Sequence, residues 1–250
     1  MFPLFDNVPH RRFPWITCGI IGACVAVYLL QLANPPLAEN LAFRPAYLLT
    51  REGWNLGPGG ILLAALASMF LHGGLLHLGF NMWFLWIFGD NVEDRMGHLR
   101  YLAFYLLCGL LATLAHVVSV EASLLLGAPQ VLHISGGGTL SPLSIPMVGA
   151  SGAIAGVLGA YYRLFPRATV RTLLIIIFFV TLVDLPAVIF IILWLLLQLL
   201  AGLTSLGGVT GVAFWAHVGG FLAGLWLVRW FAWVRRARPP TPRVVDMRWE

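Results

Sequence analysis

Charge is what this sequence has least of. Only 10% of its 250 residues are Asp, Glu, Lys or Arg, where a soluble domain carries about 25%. Its mean hydropathy is +0.88. So few charges cannot cover a water-facing surface, which excludes a soluble globular protein. Lysine is absent altogether, and all 15 basic residues are arginines. In so apolar a chain an arginine surplus reports membrane topology rather than an anionic ligand, and it argues against nucleic acid as a partner. Cysteine is scarce: Cys18, Cys24 and Cys108 each lie inside an apolar run and form no C-x-x-C pair or disulfide framework. What the chain has instead is 60% hydrophobic and 13% aromatic residues, a composition that excludes disorder.

A spanning helix needs about 20 apolar residues to cross a ~30 Å hydrocarbon core. Phe13 to Leu32 meets this and ends at Asn34-Pro35-Pro36. It is long for the apolar core of a cleaved leader, and no clear A-x-A site follows it. The next apolar stretch breaks at Gly73-Gly74. That predicts a short segment over 61–71 and a spanning helix from Leu75 to Phe88. Tyr101 to Val118 is the third span, followed by a loop rich in Gly, Pro and Ser from Glu121 to Pro146. The fourth runs from Gly149 to Tyr161-Tyr162-Arg163. Asp184 and Pro186 interrupt the fifth region, so Ala187 to Ala201 is read as the span and 173–185 as an interfacial or re-entrant piece. Val212 to Trp233 is the sixth.

Six spans with both termini in the cytoplasm place 13 arginines inside and only Arg44 and Arg51 outside, as the positive-inside rule requires. Promoting 173–185 to a seventh span would expel Arg229 and the tail arginines. The expected fold is therefore an all-α membrane protein, a six-helix bundle. A cytoplasmic N-terminus (1–12) precedes the helical domain (13–235), and an exposed cytoplasmic tail (236–250) follows it. No internal repeat supports an inverted-repeat transporter.

An ionisable or polar residue inside a span is costly and marks function by default. His77, Asn81, Ser151 and His217 are such residues. Ser151 lies 12 residues before Arg163, and His217 lies 12 before Arg229. At 1.5 Å per residue both sit ~18 Å above the cytoplasmic boundary, and His77, 13 residues before Asp90, comes to ~20 Å by the same rise. Three helices thus bring a Ser and two His to one depth, ~10 Å below the outer face of the core. His77 and Asn81, four apart, share a helix face, where two donors could hold a developing oxyanion. Interhelical hydrogen bonding is the alternative for that pair. Ser151 sits in the small-residue run Gly149-Ala150-Ser151-Gly152, and Gly220 and Gly224 follow His217. Small residues let helices approach closely in lipid. Such an approach would bring a base to a hydroxyl that is otherwise a weak nucleophile. No carboxylate or thiolate stands at zinc spacing from either histidine, so neither a metal nor a cofactor is expected.

These residues resemble the rhomboid intramembrane serine proteases over roughly 13–235. Three motifs carry the likeness. One is His72-x-x-x-x-His77-x-x-x-Asn81 with Gly89, Glu93 and Gly97 after it. The second is Gly149-Ala150-Ser151-Gly152. The third is Ala216-His217 running through Gly219 and Gly220 to Gly224. Trp194 and Gln198 also look like the family pattern. The resemblance implies Ser151 as nucleophile and His217 as general base, with no third acidic member; Asp184 falls on the cytoplasmic side. It implies an oxyanion hole of His77, Asn81 and the Ser151 N–H, with His72 structural or water-handling. Some members carry Tyr where this chain has Ala155, so the orientation of His217 must come from elsewhere, from Trp215 or helix packing. The implied activity is cleavage of transmembrane protein substrates near the outer end of their membrane segment, after a small residue such as Ala. The expected location is a bacterial cytoplasmic membrane. A silent rhomboid-like protein that binds membrane clients is the competing reading, and such a relative would be expected to lose the Ser or His.

Overall fold

The computed structural model describes residues 2–9, 11–129, 132–133, 139–176, 179–205 and 213–232. The fold is mostly helical. In chain order the helices are α1 (Trp15–Ala33), α2 (Pro36–Leu41), α3 (Ala46–Leu49), α4 (Glu52–Ser68), α5 (Leu75–Met96), α6 (His98–Leu125), α7 (Ser151–Leu164), α8 (Ala187–Ser205) and α9 (Phe214–Phe231). Among the described residues α1 and α6 are long and apolar enough to cross a membrane by themselves, and Ala187–Leu203 is a shorter apolar stretch. The helices that carry the polar residues, α5, α7 and α9, fall below that standard. Of these α7 is enclosed by its neighbours, whereas α5 and α9 bury one side and turn large apolar side chains outward on the other. Leu76 and Trp226 do so, as Leu30, Leu197 and Leu203 do on α1 and α8, the surface expected of a protein solvated by lipid.

α7 is the axis of the bundle. Every residue from Gly152 to Tyr161 is buried, so small side chains are what permit its neighbours to close around it. A Cβ on Gly220 of α9 would lie 2.0 Å from the Gly152 carbonyl oxygen, and one on Gly224 would lie 1.9 Å from that of Gly156. The two helices therefore touch backbone to backbone. With 14 residues α7 is only ~21 Å long, too short for a ~30 Å core. Its first residue, Ser151, consequently begins inside the bundle.

Glu93 and Gly97, which follow the first motif, have structural work. Glu93 is buried and reaches the start of α1. Its Oε1 accepts from the Ile16 N–H (2.9 Å), and its Oε2 accepts from the Thr17 N–H (2.8 Å) and hydroxyl (2.7 Å). Its Oε1 also pairs with His98 Nδ1 at 2.6 Å. A carboxylate there satisfies otherwise orphaned N–H groups and meets the positive end of the helix dipole. Gly97 joins α5 to α6 at φ +81°, a left-handed conformation that only glycine adopts cheaply.

Three strands depart from the sequence reading. β1 (Phe2–Asp6), β4 (Thr169–Ile176) and β5 (Phe179–Pro186) form an antiparallel sheet in the order β1-β4-β5. Phe2 pairs with Leu173, and Thr169 pairs with Pro186. The piece 173–185, taken as interfacial or re-entrant, is thus most of a β-hairpin. Its β-branched and aromatic residues favour extended backbone, a signal masked by its apolar length. β1 runs alongside α5. Trp83 Nε1 donates to the Pro3 carbonyl (2.6 Å), Asn91 Nδ2 donates to Asp6 (2.8 Å), and the Tyr161 hydroxyl also donates to Asp6. The supposed loop after α6 holds a second, minimal hairpin, β2 (Leu132–His133) with β3 (Thr139–Leu140). Helix α6 runs past the expected Val118 to Leu125, and α4 begins at Glu52 rather than 61. The tail 236–250, with its arginines, lies outside the described residues.

Candidate active site at the start of α7

The site forms where α5, α7, α8 and α9 converge. Ser151 is the first residue of α7, so its N–H has no partner within the helix. Its Oγ lies 2.8 Å from His217 Nε2 on α9. The other ring nitrogen of His217, Nδ1, lies 2.7 Å from Gln198 Oε1 on α8. The Trp194 ring, one helical turn before Gln198, sits 6.1 Å from the imidazole at 36°. Phe214 meets it edge-on at 6.5 Å. The Gly152–Gly220 contact makes the Ser–His distance possible, since any larger side chain there would push α9 away from α7.

Ala155 is buried and offers no ring to His217. Trp215 does not orient the histidine either. Its Nε1 donates to the Gly202 carbonyl at 3.2 Å, which ties α9 to α8. The groups that contact the imidazole from α8 are Gln198 and Trp194, four residues apart on one face of that helix. In the sequence both stand out only as part of the rhomboid-like pattern. The signal that could have found them was the i, i+4 spacing of an amide and an aromatic in an otherwise aliphatic helix.

His77 and Asn81 on α5 face the same space from the opposite side. A cavity of about 700 Å³ is lined by both, by Ser151 and His217, and by Phe80, Phe84, Met147, Ile154, Leu158 and Trp194 among others. Asn81 is buried, and its Nδ2 has no hydrogen-bond partner among the described residues. A buried unpaired donor costs ~1–3 kcal/mol, and this one lines the cavity. Gly149, at φ +124°, lets His77 approach. A Cβ there would lie 2.8 Å from His77 Cε1 and 3.6 Å from Ser151 Oγ. His77 and Ser151 therefore flank one point of the chain.

His72 stands behind this group. It is buried, and its backbone exchanges two hydrogen bonds of 3.0 Å with the Gln31 amide of α1. Its Nδ1 lies 3.1 Å from the Phe70 carbonyl, and its ring packs edge-on against His77 at 5.3 Å. Asp184 is engaged elsewhere. Both its oxygens accept from Arg171 across the β4–β5 hairpin at 2.8 and 2.7 Å, and those hydrogen bonds hold its carboxyl below the ordinary carboxylate range. Among the described residues no cluster of three or more His, Cys, Asp and Glu is placed to hold a metal.

The rhomboid domain family matches residues 60–234, well over half of the chain. This chain belongs to the rhomboid family. Its relatives include the rhomboid protease GlpG of Klebsiella pneumoniae, 29% identical over 44% of this chain and 37% of that protein. RHOMBOID-like protein 6, mitochondrial, of Arabidopsis thaliana is 29% identical over 59% of this chain and 42% of its own length. The presenilin-associated rhomboid-like protein, mitochondrial, of Bos taurus is 26% identical over 84% of this chain and 47% of its own. The chain thus spans less than half the length of each of these curated relatives. All four helices of this rhomboid's site, α5, α7, α8 and α9, lie inside the matched region.

Proposed function

We propose that this rhomboid is an intramembrane serine endopeptidase working through a Ser151–His217 dyad. The observation that carries the reading is the 2.8 Å contact between Ser151 Oγ and His217 Nε2. In that arrangement the hydroxyl donates to the imidazole. As Oγ bonds to the substrate carbonyl carbon, its proton passes to Nε2. The carbonyl oxygen takes the negative charge and is held by the Asn81 amide, His77 and the Ser151 N–H. His217 then returns the proton to the departing amine as the C–N bond breaks. A water, deprotonated by the same nitrogen, then attacks the acyl carbon; the C–Oγ bond breaks, Oγ takes the proton back from Nε2, and the new carboxylate leaves.

The reading places α1, α5, α6, α7, α8 and α9 across the membrane as six spans. Both termini lie on the arginine-rich cytoplasmic side, and the membrane is a bacterial cytoplasmic one. Ser151 then lies below the outer surface, so the substrate is the outer part of a transmembrane segment. A stable helix hides its carbonyls in i→i−4 bonds. The preferred segments therefore contain Gly, Pro or other helix-weakening residues near the cut, and the glycine-lined surroundings of Ser151 suit a small residue before it. The test is cleavage of a model transmembrane substrate in proteoliposomes by wild type, Ser151→Ala and His217→Ala, with product termini mapped by mass spectrometry. Wild-type cleavage near the outer boundary, abolished by either change, is expected. No cleavage by wild type would sink the protease reading and return the chain to client binding.

A further inference from the structure

Resting on the protease reading, we infer that Gln198 is the positioning residue that makes His217 a base, holding the imidazole in the tautomer whose bare nitrogen faces Ser151. A neutral imidazole has one N–H and one lone pair. The oxygen of an amide can only accept. With Gln198 Oε1 2.7 Å from Nδ1, the ring proton is held on Nδ1, and Nε2 presents its lone pair to the Ser151 hydroxyl at 2.8 Å. Without that acceptor the proton is free to move to Nε2. It would then point at Oγ, and the histidine could no longer take the serine's proton.

Serine hydrolases with a carboxylate at this place lose ~10⁴ in kcat when the wrong tautomer is allowed. A carboxylate in an apolar helix would bring a heavy desolvation cost. A neutral amide supplies the same geometric instruction without a buried charge. Trp194, four residues earlier on α8, covers the imidazole at 6.1 Å. One helix thus meets the ring with a tilted aromatic and with an amide oxygen. This division of labour accounts for an alanine at 155, whose methyl cannot restrain the ring. Gln198 acts through His217 and is not itself a catalytic residue.

The test compares Gln198→Leu and Gln198→Glu with wild type in proteoliposomes, measuring kcat and KM from pH 5 to 9, with thermal unfolding as the check on folding. Loss of the acceptor in Gln198→Leu is expected to lower kcat about 10- to 100-fold and leave KM little changed. Gln198→Glu keeps an acceptor and so keeps activity at high pH. Its carboxylate stabilises the imidazolium, so the acid limb of the profile moves to higher pH. The titratable groups that act on His217 from the other helices are His77 on α5 and His116 on α6, and both are the same in all three proteins. If Gln198→Leu does not fold, the acid limb of Gln198→Glu decides alone. A Gln198→Leu enzyme within threefold of wild type, or a Gln198→Glu enzyme whose acid limb stays in place, would overturn the inference. Inactive wild type would instead refute the protease reading on which it rests.

Discussion

Gly220→Ala is a small substitution with a large calculable consequence. The added methyl would sit 2.0 Å from the Gly152 carbonyl oxygen, where a carbon–oxygen contact needs roughly 3.3 Å. Neither side of that contact is a flexible side chain, so α9 must move off α7 by more than ~1 Å. Gly220 is three residues from His217, and Gly152 is next to Ser151. The displacement falls directly on the Nε2–Oγ distance and carries it from 2.8 Å beyond hydrogen-bond range. A misplacement of this order costs ~10² in rate, and the forced packing costs ~1–3 kcal/mol in stability. Gly79→Ala on α5 is the control, because a Cβ there meets nothing within 4 Å, and alanine in a helix is if anything stabilising. Both variants are assayed for kcat in proteoliposomes and for thermal unfolding in detergent. If Gly220→Ala keeps wild-type kcat, or Gly79→Ala loses as much, the helix contact is not what sets the dyad.

Asn81→Ala removes one proposed oxyanion donor and should lower kcat by ~10²–10³; an unchanged rate would return Asn81 to packing. Glu93→Ala strands the Ile16 and Thr17 N–H groups of α1 and should cost about 2–3 kcal/mol in an unfolding assay. Its activity per folded molecule should be retained, since Glu93 touches nothing in the cavity. Asp184→Asn should leave kcat intact, because the carboxylate serves an exposed ion pair with Arg171 of little energetic weight; a large loss would make Asp184 a catalytic partner after all. Chelator should not slow cleavage, because both ring nitrogens of His217 are engaged by protein groups; inhibition reversed by added zinc would contradict that.

The helical core was legible because its cause is local. A run of apolar residues long enough to cross lipid can satisfy its backbone only as a helix or a closed barrel, so Phe13 to Leu32 and Tyr101 to Val118 could be placed from composition. Ser151, His77 and His217 line one cavity, and the sequence hinted at this through their similar distances from Arg163, Asp90 and Arg229 at the helix ends. What failed has two causes. The stretch 173–185 is apolar enough for a helix, but its strands pair with each other in a local hairpin, to whose edge at Val170–Leu173 Phe2–Asp6 adds a third strand; apolar length alone does not separate a buried strand from a helix. Glu93 could not be assigned to α1 from its motif, and Gln198 could not be assigned to His217. Each acts on a different helix, 76 residues away for Thr17 and 19 for His217, and no periodicity within its own helix encodes that partner.

The same packing explains why the polar helices can sit in a bundle at all. His217, Ser151 and Asn81 make α9, α7 and α5 poor spans on hydropathy alone. They are tolerated because α7 is enclosed along ten consecutive residues, from Gly152 to Tyr161, and because its shortness leaves the polar groups at its start beside a cavity rather than in lipid. Glycine serves both requirements. It brings α9 close enough for a Ser–His hydrogen bond, and at 149 it makes room for His77. Replacing any one of Gly149, Gly152 or Gly220 would therefore disturb the chemistry and the burial together. That argues for reading the small-residue runs beside Ser151 and His217 as parts of the site rather than as packing alone.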